Sequence, residues 1–86
     1  MPFQPFVLEI SEPADQDIVE DSPISVSGRT GSDAVLSVNG LSVPVDELGT
    51  FTAMVRLEPG PNIIDIVANN IDGEVLTSLI AVIYRP

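Results

Sequence analysis

Two groups of oxygen-bearing side chains are the residues of this sequence best suited to chemistry. Each group gathers four carboxylate or amide side chains within a short stretch of chain: Asp15, Asp17, Glu20 and Asp21 in the first, and Asn69, Asn70, Asp72 and Glu74 in the second. Hard cations such as Ca²⁺ prefer several oxygen ligands of this kind. Neither group has the spacing of an EF-hand loop, and Asn and Asp also form turns that need no metal. Two hypotheses therefore stay open, solvated turns or a Ca²⁺ site, for the candidate ligands Asp15, Asp17, Asp21, Asn70, Asp72 and Glu74.

Other residues offer little catalytic chemistry. The chain contains no His, Cys or Lys, so nucleophilic triads and thiolate–metal sites lack their essential members. Paired carboxylates can cleave glycosides, but the candidates Asp46 and Asp72 fall in predicted turns without an aromatic platform for a sugar. The segment from Gly28 to Gly31 lacks both the lysine of a phosphate-binding loop and a following helix. We predict a non-enzymatic protein without catalytic residues or cofactors.

The charge balance restricts the partners of the chain. Three Arg oppose thirteen Asp and Glu, which gives a formal net charge of −10. Nucleic acid and anionic membrane surfaces would be repelled by this charge. No apolar run approaches the ~18 residues of a membrane-spanning helix. We expect neither a nucleic-acid partner nor membrane insertion.

The length of 86 residues leaves room for one domain, which we expect to span residues 1–86 with an ordered part of about 6–85. The segment Met1–Phe6 lacks the basic start and apolar centre of a signal peptide. We interpret the chain as a domain excised from a larger protein whose export signal lies upstream.

Alternating apolar and polar residues between recurrent Pro and Gly predict an all-β protein. Asn39-Gly40 separates two alternating runs and predicts a two-residue hairpin turn with positive φ at both positions. Pro44 predicts that the second of these runs lies at a sheet edge or is irregular. We interpret residues 14–21 as an acidic link between the first two predicted strands. The expected architecture is an immunoglobulin-like antiparallel β-sandwich of about seven strands, at residues 6–11, 23–28, 34–38, 41–45, 51–58, 62–69 and 74–84.

The outward faces of the last two predicted strands are unusually apolar. A solvent-exposed sheet face normally carries polar side chains, and large apolar patches often mark partner surfaces. The alternative interpretation is that these side chains only favour strand structure, or that the parity is wrong by one residue. If the two strands pair, alternation predicts a contiguous interaction patch of Ile63, Val67, Leu79 and Ile83, extended by Val35.

With this pattern in place, the sequence resembles the bacterial immunoglobulin-like modules typified by domain B of glucodextranase. The resemblance covers nearly the whole chain from Leu8. It rests on Val26-Ser-Gly28, Ala34-Val-Leu-Ser-Val-Asn-Gly40, Asp46 with Gly49 and Phe51, Leu57-Glu-Pro-Gly-Pro-Asn62, Val67-Ala-Asn-Asn-Ile-Asp-Gly73 and Val82-Ile-Tyr84.

The resemblance implies a non-catalytic accessory domain of a bacterial secreted or cell-surface protein, which packs against or separates neighbouring domains. We therefore expect a structural or interaction module with neighbouring domains or another protein as partners. The alternative is an accessory domain of a polysaccharide-active enzyme that binds carbohydrate or Ca²⁺. Trp is absent and Tyr84 falls on the predicted core face, so the stacking surface that sugars usually require is not apparent.

Overall fold

The computed structural model describes residues 5–86, so residues 1–4, most of the segment tested above for a signal peptide, lie outside it. The described chain confirms the all-β prediction, because it forms strands joined by turns and contains no helix. The strands are β1 Glu9–Glu12, β2 Asp17–Val19, β3 Ile24–Arg29, β4 Val35–Val38, β5 Leu41–Val43, β6 Thr50–Val55, β7 Gly60–Asn69 and β8 Val75–Tyr84.

The strands form two sheets that pack face to face. One sheet has three strands in the order β1-β3-β6, and the other has five in the order β2-β8-β7-β4-β5. The predicted parity of the last two strands is confirmed, since Ile64, Ile66 and Ile80 are buried while Ile63 and Leu79 are exposed. The core between the sheets consists of Val26, Leu36, Val38, Phe51, Val55, Leu57, Ile64, Ile66, Ala68, Ile80 and Val82.

The hairpin between β4 and β5 is the one predicted from the sequence. Asn39 has a φ of 51° and Gly40 a φ of 80°, and Val38 pairs with Leu41 across the turn. The Asn39 side-chain Oδ1 also accepts a hydrogen bond of 2.8 Å from the backbone N–H of Asp65 on β7. Asn39 therefore serves both the turn and the neighbouring strand, which explains why this position has Asn. β5 lies at a sheet edge, as Pro44 predicted.

The first part of the chain differs from the prediction. The first strand was expected at residues 6–11 but spans Glu9–Glu12, and the expected link at residues 14–21 contains β2. β2 pairs in parallel with the last strand, placing Asp17 beside Val82 and Val19 beside Tyr84. The predicted β-sandwich is confirmed; it has eight strands where about seven were expected, and the additional strand β2 pairs in parallel. A strand of three residues has too few side chains for alternation to be visible, and its partner is more than sixty residues away in the sequence.

Candidate interaction surface

The outer face of the five-stranded sheet is formed mainly by β7 and β8. These ten-residue strands pair along their whole length, with Ile63 opposite Ala81, Asp65 opposite Leu79 and Pro61 opposite Ile83. Residues that face each other across a sheet point to the same side. Alternate residues of β7, such as Ile64 and Ile66, are fully buried, so the odd-numbered residues of both strands face away from the core.

Large apolar side chains lie together on part of this face. Ile63 is 62% exposed and Leu79 is 61% exposed, while Val67 and Ile83 are half-buried. Register places Ile63 diagonal to Leu79 and Leu79 diagonal to Val67. The structure therefore brings these four predicted patch residues together. We define the outer patch as Ile18, Ile63, Val67, Leu79, Ala81 and Ile83.

Ile18 belongs to this surface but was not predicted. It lies on β2, pairs with Ile83 and is 52% exposed. The apolar pair Ile18-Val19 inside an acidic segment was the only local sign of β2. Val35 is 69% exposed and lies on β4, opposite Asn69 and diagonal to Val67. Val35 is therefore on the predicted face and borders the outer patch as defined above.

A single carboxylate interrupts the outer patch. Asp65 lies opposite Leu79 and between Ile63 and Val67 along β7, and it is exposed. Its own backbone N–H is held by Asn39, which fixes the position of Asp65 on the strand. The outer patch is thus an apolar surface that presents one negative charge.

The loop between β5 and β6 uses its acidic residue for structure. Asp46 Oδ1 accepts hydrogen bonds of 2.9 Å from the N–H groups of Leu48 and Thr50, and its Oδ2 accepts one from the Thr50 hydroxyl. The Thr50 hydroxyl and then the Thr50 amide lower the pKa of Asp46 below its ordinary value of 3.8. These bonds engage both oxygens of Asp46, so this residue closes its own loop.

The loop between β7 and β8 repeats the same arrangement with Asn in place of Asp. Asn70 Oδ1 accepts from the N–H groups of Asp72 and Glu74 at 3.1 and 2.9 Å, and Asn70 Nδ2 donates to Glu74 Oε1 at 3.1 Å. Gly73 holds a φ of 84°, as Gly49 holds 83° in the first loop. Both acceptor positions of the Asn70 side-chain oxygen are therefore used within the turn.

The candidate Ca²⁺ ligands are distributed over both ends of the sandwich. Asp15 Oδ1 accepts from the Ala81 N–H at 2.8 Å and Asp17 Oδ1 from the Ile18 N–H at 3.0 Å, so both support β2. Asp17 lies beside Val82, whereas Glu74 precedes Val75, and seven residues of extended strand span roughly 24 Å. Asp21 is exposed near the first group, and Asp72 is exposed in the second. Within residues 5–86 no three acidic side chains are arranged to hold a metal ion.

Three further observations concern the aromatic residues, the buried polar atoms and the absence of spanning helices in residues 5–86. The exposed large hydrophobic side chains of residues 5–86 include no aromatic ring, and Tyr84 packs against the core. Every buried side-chain nitrogen and oxygen in this part of the chain has a hydrogen-bond partner. None of the elements described forms a helix long and apolar enough to cross a membrane.

Comparison with known proteins places this architecture in a family. No curated protein matches the sequence. Among solved structures, CopC from Methylosinus trichosporium OB3b superposes with a TM-score of 0.64 at 16% sequence identity, over 93% of this chain and 95% of that chain. At this identity the likeness shows the fold alone. The family model described as glucodextranase, domain B, matches residues 7–85, and the chain therefore belongs to that family.

Proposed function

We propose that this domain is a non-catalytic accessory module of a larger extracytoplasmic protein, and that it docks on a neighbouring domain through the outer patch. Membership of the glucodextranase domain B family supports the accessory role and a location outside the cytoplasm. The observation that carries the docking role is the pair Ile63 and Leu79, both about three-fifths exposed on a regular, fully paired sheet.

Exposure of these side chains has an energetic consequence. Burying a large aliphatic side chain stabilises a complex by about 1.5–3 kcal/mol when the burial is complete. Ile18, Ile63 and Leu79 each retain more than half of their accessible surface, and they lie on three adjacent strands. A flat apolar face of this kind suits a second flat surface better than a small ligand, because it has no enclosing walls.

The charge of the chain restricts the chemistry of the partner. The domain carries a net charge of −10, and Asp65 lies within the outer patch. A partner that buries Asp65 without a cation or donor opposite it would suffer a desolvation penalty. We therefore expect an apolar partner surface that includes an Arg or Lys positioned to meet Asp65.

The docking role is favoured over the glycan-binding alternative. Sugar rings are usually held by exposed aromatic side chains, and none of the exposed large hydrophobics among residues 5–86 is aromatic. The Ca²⁺ alternative is disfavoured by the backbone hydrogen bonds that engage Asp15, Asp17 and Asn70.

Hydroxyl-radical footprinting of the complete gene product against the isolated domain tests the proposal. We expect oxidation of Ile63 and Leu79 to decrease in the complete gene product, because docking excludes water from their side chains. Leu48 and Ile71 are the matched controls: they are 82% and 83% exposed on loops away from the sheet face, and their oxidation should not change.

Two results would contradict the proposal. Equal oxidation of Ile63 and Leu79 in both samples would show that the outer patch is not covered. A coding sequence that specifies no further domain would remove the partner that the accessory role requires.

A further inference from the structure

A second surface lies at the edge of the smaller sheet. Each sheet of the described chain ends in two edge strands, β1 and β6 in one sheet and β2 and β5 in the other. Edge strands present unpaired N–H and C=O groups, and proteins usually protect them with short length, charge, Pro or β-bulges. The four edge strands of this sandwich therefore differ in how well such features protect their backbone groups.

Three of the four edges are protected. The register of β1 shifts between Ile10 and Glu12, which breaks the ladder. β2 has three residues and begins with Asp17, and β5 has three residues and is followed directly by Pro44. β6 is different: its six residues, with the sequence TFTAMV, contain no charge and no Pro, and they pair with β3 without a register shift.

The free backbone groups of β6 can be identified from its first residue. The Thr50 C=O accepts from the Asp46 N–H at 3.0 Å, and the Thr50 N–H donates to Asp46 Oδ1, so both groups of Thr50 point away from β3. Backbone groups alternate in direction along an antiparallel strand. The N–H and C=O of Thr52 and Met54 therefore also point away from β3, on a side where no described strand pairs with β6.

The space beside these groups is a groove between β5 and β6. It has a volume of about 470 Å³ and is lined by Leu41 and Met54, which are exposed, and by the half-buried Val43 and Ala53. Arg56, one of three basic residues in the chain, lines this groove, while Asp46 lies at the opposite end of β6. The open edge therefore has an apolar wall with a positive charge at one end and a negative charge at the other.

We propose that β6 pairs antiparallel with β6 of a second copy of this chain, about a two-fold axis through Ala53. In this register Thr52 of each copy faces Met54 of the other, so the free N–H and C=O groups form four hydrogen bonds. An antiparallel arrangement also brings Arg56 of each copy toward Asp46 of the other. The edge is thus self-complementary in backbone pairing and in charge, as a two-fold interface requires.

The dimer is weak and depends on salt. An edge pairing of a few residues buries less than the ~1,000 Å² typical of stable interfaces. Each copy also carries a net charge of −10, and this repulsion is screened at high ionic strength. We expect dissociation constants in the range of about 0.1–1 mM at about 0.5 M NaCl.

Sedimentation equilibrium combined with amide NMR spectra tests this dimer over protein concentrations from about 10 μM to about 1 mM. We expect the mass to approach that of a dimer, with concentration-dependent amide shifts centred on Thr52 and Met54. Thr52→Pro removes an N–H that the β3 ladder does not use and should raise the dissociation constant at least ~10-fold. Met54→Lys adds a charge to the edge and should have the same effect.

The double variant Ile63→Thr/Leu79→Thr is the control, because it alters the outer patch and leaves β6 unchanged. Its dimerisation should equal that of the unmodified chain. If thermal melting shows that Thr52→Pro does not fold, Met54→Lys decides the outcome. A monomer at every concentration overturns the proposal, and so does a dimer that survives the β6 variants but is lost in the control.

Discussion

At the scale of single residues, polar side chains in this domain bind the backbone of turns. Asp46 and Asn70 each accept hydrogen bonds from main-chain N–H groups of their own turns, whereas Asn39 accepts one from Asp65 on the neighbouring strand β7. Because the bonds of Asp46 and Asn70 are local, the residue types and their spacing with Gly made these turns predictable. The same bonds explain why Asp46 and Asn70 stabilise turns in this domain.

Asn39 gives the first prediction. Asn39→Ala should lower the free energy of unfolding by about 1–3 kcal/mol, because Ala is strained at positive φ and the Asp65 N–H loses its acceptor. Asn39→Gly should cost less, since Gly accepts the φ of 51° and only the hydrogen bond is lost. Urea denaturation of the two variants measures the difference. Equal stability of the Ala variant and the unmodified chain would contradict the double role of Asn39.

Asp46 gives a prediction for pH. Its pKa in the folded state lies below the ordinary value of 3.8, so its contribution to stability is complete above that value and is lost as the pH falls through the folded pKa. Asp46→Asn retains a side-chain acceptor, as Asn70 does in the equivalent loop, and removes this titration. We expect the variant to lose less stability than the unmodified chain between about pH 4 and about pH 2. Thermal melting against pH measures this, and parallel curves for the two proteins would refute it.

Calcium provides a third test at this scale. Asp15 Oδ1, Asp17 Oδ1 and Asn70 Oδ1 already accept backbone hydrogen bonds, so a cation bound by these atoms would compete with those bonds. Addition of millimolar Ca²⁺ should leave the melting temperature unchanged, with Mg²⁺ as the control for ionic strength. A rise in melting temperature with Ca²⁺ but not with Mg²⁺ would show that the acidic loops form a metal site.

At the scale of elements, the two Gly-containing loops offer a matched comparison. Gly49 and Gly73 have almost the same φ, but a Cβ on Gly49 would lie 2.1 Å from the Thr30 carbonyl oxygen, whereas a Cβ on Gly73 would meet nothing within 4 Å. Gly49 therefore joins β6 to the loop after β3 by close backbone contact.

Gly73→Ala should cost about 1–2 kcal/mol for positive φ alone, and Gly49→Ala should cost clearly more because the Thr30 backbone must also move. Chemical denaturation of both variants isolates the contribution of the close contact. Similar losses in the two variants would show that the chain near Thr30 adapts without cost.

The success of the sequence prediction also varies by element. β7, β8 and the hairpin at Asn39-Gly40 could be predicted because their alternation and turn residues are local signals. β2 could not, because its parallel pairing with β8 depends on a distant partner, and Ile18 was missed from the outer patch with it. The open edge of β6 was missed for the same reason: only the sheet order shows that no strand of the described chain lies beyond it.

At the scale of the whole molecule, the domain combines a core of aliphatic side chains and Phe51 with an outer face that carries the outer patch. Ile63 and Leu79 lie outside this core and are mostly exposed, so we expect Thr, which also favours strands, to replace them with little loss of stability. In the proposed function, the net charge of −10 favours contact of most of the surface with water, and the outer patch contacts the partner.

Calorimetry of Ile63→Thr/Leu79→Thr, made both in the isolated domain and in the complete gene product, tests docking through the outer patch most directly. Docking stabilises the folded domain, so the unmodified domain should melt at a higher temperature in the gene product than alone. We predict that the double variant removes this difference while leaving the melting temperature of the isolated domain nearly unchanged. An equal loss of melting temperature in both contexts would instead assign Ile63 and Leu79 to the stability of the fold and contradict the account.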